Sequence, residues 1–201
     1  MAEMKYPLPL QKLIALLKKI PGVGQRTAER YAFQMIQWKD SDLSNLAYTL
    51  ANLKIDLIPC PECGALKDAS DCNYCNNPRR DQRTLCIVSS PKDIFAIENT
   101  AIFNGVYHVM PGLLSPIDGL GPEEMKFELL KSRIESLKIR EVILALDSTV
   151  EGDATALFLK RELAKLDVVI SRLALGMPLG SSLDYIDEGT LSQALSARLP
   201  I

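Results

Sequence analysis

The chain has 201 residues, of which 47% are apolar and 24% are charged, and its formal net charge is −2 at pH 7. This composition is typical of a globular chain with one or two domains, and no apolar run is long enough to span a bilayer. The first residues lack the pattern of a signal peptide, so we expect a cytoplasmic protein whose five cysteines stay reduced.

The small net charge conceals an uneven distribution of charged residues. Residues 1–55 hold eight Lys/Arg against four Asp/Glu, whereas residues 84–201 hold eleven against sixteen. The N-terminal part can therefore face a polyanion, and the C-terminal part would repel one. A solvated helical surface is the simpler alternative, and charge alone does not decide between the two.

Three helices are predicted in residues 1–55, because apolar residues recur there at helical spacing. The three sets are Leu10, Leu13, Ile14 and Leu17; Ala28, Tyr31, Ala32 and Met35; and Leu43, Leu46, Ala47 and Leu50. Asp40 or Ser41 is a candidate N-cap for the third helix. Trp38, at the end of the second helix, is expected to pack rather than to stack on a base.

A tight turn is predicted between the first two helices, at the sequence PGVG of residues 21–24. Gly22 ends the first helix, Val23 is expected to be buried, and Gly24 allows the return into the second helix. Backbone N–H groups at the start of that helix suit a phosphate oxygen. This helix–hairpin–helix pattern contacts a nucleic-acid backbone without reading bases, and the local positive charge favours DNA over an ordinary glycine turn. The candidate DNA-binding residues are Lys18, Lys19, Gly22, Gly24, Arg26, Thr27 and Arg30.

Four cysteines lie in residues 56–82, which we call the cysteine insert. Cys60 and Cys63 form one C-x₂-C pair, and Cys72 and Cys75 form another. Each pair places two thiolates on one turn, so the two pairs together predict a tetrahedral Zn²⁺ site with one ion per chain. Four cysteine ligands leave no position for water, and the zinc is therefore expected to be structural.

From residue 84 onward the pattern changes to alternating strands and helices. Short runs rich in β-branched residues predict strands at 85–88, 105–110, 141–146 and 168–175. Helical spacing appears between them, from Phe127 to Leu137 and from Ala156 to Leu166. This order favours a mostly parallel sheet that is covered on both faces, with Cys86 as a small core residue.

Polar and acidic residues follow two of the predicted strands. Ser89 follows the first strand, and Asp147 follows a later one. Asp147, Glu151 and Asp153 form what we call the acidic cluster. Acidic residues at the end of a buried strand are where many phosphoryl-transfer enzymes hold Mg²⁺.

Taken in order, these features resemble the bacterial recombination mediator RecR family. The hairpin, the cysteine insert, the strand ends of a Toprim module and the tail RLALGMPLGSSLDYIDEGTLSQAL follow one another as in that family. The loop YHVMPGLLSPIDGLGPEE, residues 107–124, is also similar to a loop of that family. The resemblance implies a helix–hairpin–helix DNA-binding region at 1–55, a four-cysteine zinc finger at 56–82, a Toprim domain at 83–175 and a C-terminal assembly segment at 176–201.

The resemblance also implies a function in DNA repair. Members of this family are expected to form a ring-like homo-tetramer and to act with the partner proteins RecO and RecF. Together these proteins help to load the recombinase RecA on single-stranded DNA coated by single-strand-binding protein, in a repair route independent of RecBC. A cytoplasmic protein that associates with the nucleoid during repair, and not with a membrane, is the corresponding location.

The Toprim resemblance departs from an active enzyme at two positions. A Toprim enzyme uses a glutamate after its first strand to move a proton and a D-x-D pair to hold Mg²⁺. Here Ser89 stands in place of the glutamate, and Thr149 in place of the second aspartate after Asp147. We therefore expect no catalytic residue and weak or absent Mg²⁺ binding, and we assign the acidic cluster to a basic protein partner.

Two alternatives remain. One is a Mg²⁺-dependent nuclease or topoisomerase-like enzyme, and the other is a zinc-stabilised scaffold without a role on DNA. His108, the only histidine, is expected to be packed rather than catalytic. The sequence GMPLGSS at 176–182 lacks the spacing and the lysine of a phosphate-binding loop.

Overall fold

The computed structural model describes residues 6–115, 119–174, 176–178 and 180–198. Leu175 of the predicted fourth strand, residues 116–118 of the loop at 107–124, and Leu179 and residues 199–201 of the assembly segment lie outside the described residues. The chain divides into two compact units, residues 1–56 and residues 57–201. Of the described helices, none is both long enough and apolar enough to cross a membrane.

The first unit consists of the three predicted helices. These are α1 (Leu8–Leu17), α2 (Gln25–Ile36) and α3 (Asp40–Asp56). Helices α1 and α2 pack together around Ile14, Ala28 and Ala32, where the two small alanines allow close approach. The predicted cap of α3 is wrong by one or two residues: the carbonyl of Lys39 already accepts the first helical hydrogen bond, so Asp40 lies inside the first turn.

Helix α3 buries none of its residues. Its side chains Tyr48, Leu50 and Ile55 are 70%, 61% and 73% exposed. Trp38, which was expected to pack, is also exposed at 39%. Helix α3 thus exposes large apolar side chains along its length instead of burying them in the core of the first unit.

The second unit is an α/β structure. Its strands are β1 (Ile58–Pro59), β2 (Leu66–Lys67), β3 (Asp81–Val88), β4 (Gly105–Val109), β5 (Glu141–Ala145) and β6 (Val169–Arg172). Its helices are α4 (Pro91–Glu98), α5 (Phe127–Leu137), α6 (Val150–Leu163) and α7 (Glu188–Ser196). Strands β1 and β2 form a small antiparallel ribbon, while the other four form one parallel sheet in the order β4-β3-β5-β6. The predicted parallel sheet is thereby confirmed.

The two faces of this sheet are covered differently. Because side chains alternate along a strand, Leu85 and Ile87 of β3 face one side, and Cys86 and Val88 face the other. The first side packs against α5 and α6 in the larger core. The second side packs against Ile94 of α4 and against the cysteine insert. The cysteine insert and α4 thus share the cover of this second face of the sheet.

Candidate metal centre and nucleic-acid interface

The four cysteines of the insert come together in a single cluster. The sulfur ligand atoms of Cys60, Cys63, Cys72 and Cys75 all lie within 4.8 Å of one another. The sulfurs of Cys60 and Cys75 are 3.9 Å apart, and those of Cys63 and Cys72 are 3.6 Å apart. Three of the four residues are buried. This geometry could hold a metal ion with four sulfur ligands.

The first C-x₂-C pair is shaped by a turn that requires glycine. Gly64 has φ +75°, and a Cβ at this position would lie 2.9 Å from the Cβ of Val109. The amide of Gly64 donates to the carbonyl of Cys60 at 2.9 Å, and the amide of Cys60 donates to the carbonyl of Ala65 at 2.7 Å. These bonds turn the chain so that both sulfurs of the pair face the same point.

The cluster is attached to the outer edge of the parallel sheet. The amide of Val109 in β4 donates to the carbonyl of Cys63 at 2.7 Å. Arg133 of α5 donates to the carbonyl of Tyr107, two residues earlier on the same edge, and to the sulfur of Cys75 at 3.3 Å. The backbone groups of an edge strand need partners, and here the insert and one arginine supply them.

The protonation pattern of the cysteines suits a metal site. The pKa of Cys63 is lowered to about 5, chiefly because the thiol of Cys75 donates a hydrogen bond to its sulfur. The same hydrogen bond, together with burial, raises the pKa of Cys75. A divalent cation would replace these shared protons and would leave every sulfur as a thiolate. The fifth cysteine, Cys86, lies outside this cluster, and burial raises the pKa of its thiol to about 12.

At the carboxyl ends of β3 and β5 the structure brings three polar side chains together. The hydroxyl of Ser89 lies 3.1 Å from a carboxylate oxygen of Asp93 and 3.2 Å from one of Asp147. The register explains the contact, because Val88 and Ala145 are partners in neighbouring parallel strands. Residues that follow such partners emerge at the same level of the sheet. Ser89 therefore occupies the centre of this strand-end site.

The residues that follow Asp147 are arranged by the start of α6. Thr149 caps this helix, since its hydroxyl accepts the amide of Gly152 at 3.1 Å. A Cβ at Gly152 would lie 2.0 Å from the carbonyl oxygen of Asp147, so glycine is needed for the close approach. Asp153 forms an ion pair with Arg172 of β6 at 2.5 Å. Glu151 forms no side-chain hydrogen bond to any residue that the structure describes.

In the first unit the predicted hairpin turn is present. Gly22 has φ +79°, and the amide of Val23 donates to the carbonyl of Ile20 at 3.0 Å. Val23, which was expected to be buried, packs against the small core of this unit but is only half-buried. Gly24 precedes α2 without a side-chain cap, so the first amides of the helix have no such partner. The backbone of Gly24 is extended (φ −80°), so the left-handed conformation that favours glycine occurs at Gly22 and not at Gly24.

The basic side chains around this turn are exposed. Lys18, Lys19, Arg26 and Arg30 are all on the surface, and Thr27 is half-buried. Among the described residues these four basic side chains form no ion pair; Arg30 lies over the ring of Tyr31 at 5.6 Å. Four cations near uncapped amides form a surface suited to phosphate groups.

Family profiles match most of the chain. A RecR helix-hairpin-helix profile matches residues 10–54, a Toprim domain profile matches residues 83–174, and a RecR C-terminal profile matches residues 176–198. Recombination protein RecR of Protochlamydia amoebophila is 51% identical over 195 residues, which cover 97% of this chain and 98% of that protein. The protein of the same name from Chlamydia felis is 52% identical over 199 residues, covering 98% and 99%.

The chain belongs to the RecR family. A more distant relative, Recombination protein RecR of Chlamydia trachomatis serovar L2, is still 47% identical over 197 residues, covering 97% and 98% of the two chains. The predicted resemblance is thereby confirmed, as are the helix–hairpin–helix and Toprim parts of the fold. The roles of individual DNA-binding, partner-binding and metal-binding residues in this RecR chain stay predictions.

Arg133 was not predicted as part of any site. A charged residue inside the apolar stripe of α5, next to the core residues Leu130 and Ile134, is the sequence signal that marks it. The contact between Ser89 and Asp93 was also missed, since it depends on the path of the chain from β3 into α4. Neither contact follows from residue spacing alone.

His108 is packed, as expected, in β4 of the sheet. It is 3% exposed, and its Nδ1 atom has no hydrogen-bond partner among the described residues. Burial, with a smaller effect from the positive charge of Arg133, lowers the pKa of His108 to about 4. The imidazole is therefore neutral in the folded protein near neutral pH.

The low pKa of His108 predicts a pH-dependent loss of stability. Between pH 6.5 and about 4, the unfolded chain binds a proton that the folded protein does not, so the free energy of unfolding falls by up to about 3 kcal/mol as the pH drops through this window. Replacing His108 with Phe should remove this part of the pH dependence, which denaturant titrations at several pH values would measure. Because this is the only histidine, its NMR titration in untagged protein is unambiguous. A midpoint near 6.5 would contradict the prediction.

Proposed function

We propose that this chain is a DNA-binding recombination mediator without enzymatic activity. Its membership in a family of recombination proteins supports a role in recombinational repair. The observation that carries DNA contact is the open glycine turn before α2, surrounded by exposed basic side chains. In this proposal the chain contacts DNA through backbone phosphates, without sequence specificity.

Gly24 supports this proposal through the space around it. A Cβ at Gly24 would meet nothing within 4 Å, and its φ is one that any residue adopts. Nothing inside the described part of the protein therefore demands a glycine here. The open space leaves room for a phosphate to approach the first amides of α2 closely, and this is consistent with a phosphate contact at the turn.

The partners follow from the family and remain proposals for this chain. We infer that it acts with RecO and RecF to help load RecA on single-stranded DNA coated by single-strand-binding protein, independently of RecBC. The proposed domains are a DNA-binding region at 1–55, a zinc finger at 56–82, a Toprim domain at 83–175 and an assembly segment at 176–201. The corresponding location is the cytoplasm, with nucleoid association during repair.

A homo-tetrameric ring is part of the same proposal. The exposed apolar residues of α3 support assembly, and so do Leu183, Tyr185 and Leu195 near the end of the chain, which are 58%, 90% and 59% exposed. Contact with a second subunit would remove these apolar side chains from water and so favour assembly. Two separate apolar regions on one chain are what a closed ring of identical subunits requires.

For the metal we propose one structural Zn²⁺ per chain, held by Cys60, Cys63, Cys72 and Cys75. Four sulfur donors in a tight cluster suit Zn²⁺, which prefers tetrahedral thiolate sites. With all four positions taken by sulfur, the ion would contribute folding energy and no chemistry. Elemental analysis of untagged protein tests this identity.

The strand-end site supports the absence of catalysis. Ser89 has no acid that titrates near neutral pH, and its hydroxyl is a poorer Mg²⁺ ligand than a carboxylate. The hydroxyl of Thr149 is already used as a helix cap. We propose that any Mg²⁺ binds weakly at Asp147 and that the acidic cluster contacts a basic surface of a partner protein.

Replacing Gly24 with Ala should weaken DNA binding several-fold while the fold is retained, since the added methyl group obstructs only an external ligand. Gly112→Ala is the matched control, because a Cβ there also meets nothing within 4 Å. Arg26→Ala and the double change Lys18→Ala with Lys19→Ala should weaken binding to all DNA sequences equally. Each lost phosphate contact should reduce the slope of log affinity against log salt by about 0.7–0.9.

Fluorescence anisotropy with single- and double-stranded oligonucleotides over a salt series measures these effects. Lys54→Ala, an exposed charge in the last turn of α3, is the control for general loss of positive charge. Equal affinity for Gly24→Ala, Arg26→Ala and the wild type would place the DNA site elsewhere on the chain. Absence of any DNA binding would favour the scaffold alternative.

The protein should not cleave, relax or join DNA with Mg²⁺ or Mn²⁺. The reason is that the strand-end site lacks a group to transfer the proton, so a bound cation would have no chemistry to assist. Supercoiled plasmid incubated with each metal provides the assay. Metal-dependent nicking that disappears in Asp147→Ala would restore the nuclease or topoisomerase-like alternative.

Glu151→Ala should weaken binding to RecO more than Asp153→Ala does, with DNA affinity unchanged for both. Glu151 has no counter-charge among the described residues, whereas the charge of Asp153 is balanced by Arg172. Titration calorimetry with purified RecO measures the difference, and Glu135→Ala on the exposed surface of α5 is the control. If all three variants bind equally well, the acidic cluster is not the docking surface.

A further inference from the structure

Arg133 is a buried arginine that has no carboxylate partner among the described residues. Its side chain belongs to α5, and the residue is 8% exposed. The four ion pairs found in the described part of the chain do not include it. Its guanidinium instead donates to the carbonyl of Tyr107 and to the sulfur of Cys75, the latter at 3.3 Å.

A buried cation of this kind needs a compensating negative charge. Removing a guanidinium from water without a counter-ion is strongly unfavourable. The imidazole of His108, whose pKa is lowered by burial and by the charge of Arg133, is neutral and supplies no negative charge. Among the described residues, the one hydrogen-bond partner of Arg133 that can become a thiolate is Cys75, whose sulfur is one of the four in the cluster.

Four thiolates around one divalent cation carry a net charge of −2, which is more than enough to compensate the single positive charge of Arg133. We propose that Arg133 is a positioning residue of the metal centre: it holds the thiolate of Cys75 by an N–H···S hydrogen bond and balances part of the charge of the metal–thiolate group. This inference rests on the proposed Zn²⁺. Outer hydrogen bonds of this type orient ligands and tune the affinity of the metal.

The second donor of Arg133 extends this role into the sheet. The carbonyl of Tyr107 lies on the outer edge of β4, where Val109 also binds the insert. The same guanidinium therefore contacts the metal cluster and the edge strand while its stem is anchored in α5. Occupancy of the metal site and the packing of α5 against β4 should consequently stabilise one another.

The test compares full-length wild type, Arg133→Met and Arg133→Lys. Methionine keeps an apolar stem and removes both the charge and the donors, while lysine keeps the charge and loses the two-pronged geometry. Arg140→Met is the matched control, because Arg140 is exposed and forms no ion pair among the described residues. Three quantities are measured for each: Zn²⁺ affinity by chelator competition, the absorption spectrum of the Co²⁺-substituted protein, and unfolding with and without metal.

We expect Arg133→Met to bind Zn²⁺ about 10- to 100-fold more weakly than wild type and Arg133→Lys to lie between them. The sulfur-to-Co²⁺ charge-transfer band should shift in Arg133→Met, and the control should match wild type in every measurement. Metal should stabilise Arg133→Met less than it stabilises wild type. A purely structural role for Arg133 would change stability without moving the Co²⁺ band.

The outcomes separate this inference from the proposed zinc. Metal-free wild type, as purified, would remove the zinc site and this role with it. Metal-containing wild type with unchanged affinity and an unchanged Co²⁺ spectrum in Arg133→Met would remove the role of Arg133 alone. If Arg133→Met does not fold, Arg133→Lys decides, and wild-type affinity and spectrum in that variant overturn the inference.

Discussion

A parallel sheet with both faces buried is the constraint on which the second unit depends. Strand β3 has neighbours on both sides, and its residues Leu85 to Val88 are buried on alternating faces. Two long helices, α5 and α6, cover one face, but on the other face the eight-residue helix α4 is joined by the cysteine insert. The cysteine insert is therefore part of the core of this unit and not an appendage. A metal ion that orders the insert would also complete the cover of the sheet.

The attachment of the insert to the sheet uses buried polar groups as well as apolar contacts. Arg80, at the end of the insert, stacks over Tyr74 at 4.9 Å and forms an ion pair with Glu98 of α4. Glu98 also accepts the hydroxyl of Tyr107 at 2.6 Å. Burial alone would raise the pKa of Glu98, but the hydrogen bonds from Arg80 and Tyr107 outweigh it and lower the pKa. Arg80 and Arg133 thus both connect the insert to β4, since they donate to the carbonyls of Gly105 and Tyr107.

Local patterns were sufficient to predict most of this fold. Helical spacing located α1 to α3, and the two C-x₂-C pairs identified the cluster, because both signals depend on residues close in sequence. The predictions that failed depend on other information. The position of the N-cap of α3 at Lys39 rather than at Asp40 or Ser41 is set by the path of the chain from α2, which residue types alone do not define. The exposure of Trp38 depends on which other segments of the chain pack against it. The spacing of apolar residues along a helix carries no information about that.

The strand-end site shows why contacts between distant segments are hard to predict and why they matter. Ser89 and Asp147 are 58 positions apart and meet only because β3 and β5 are neighbours in register. A hydroxyl has a single proton, so Ser89 can donate to Asp93 or to Asp147 but not to both at once. At any moment, one of the two carboxylates therefore receives no hydrogen bond from Ser89 and needs water or a cation as its partner. In the acidic cluster, Asp153 forms an ion pair with Arg172, while Asp147 and Glu151 form none with any residue that the structure describes. The carboxylates of the acidic cluster without an ion pair among the described residues are therefore Asp147, which contacts Ser89 across the two strands, and Glu151, which lies in the first turn of α6.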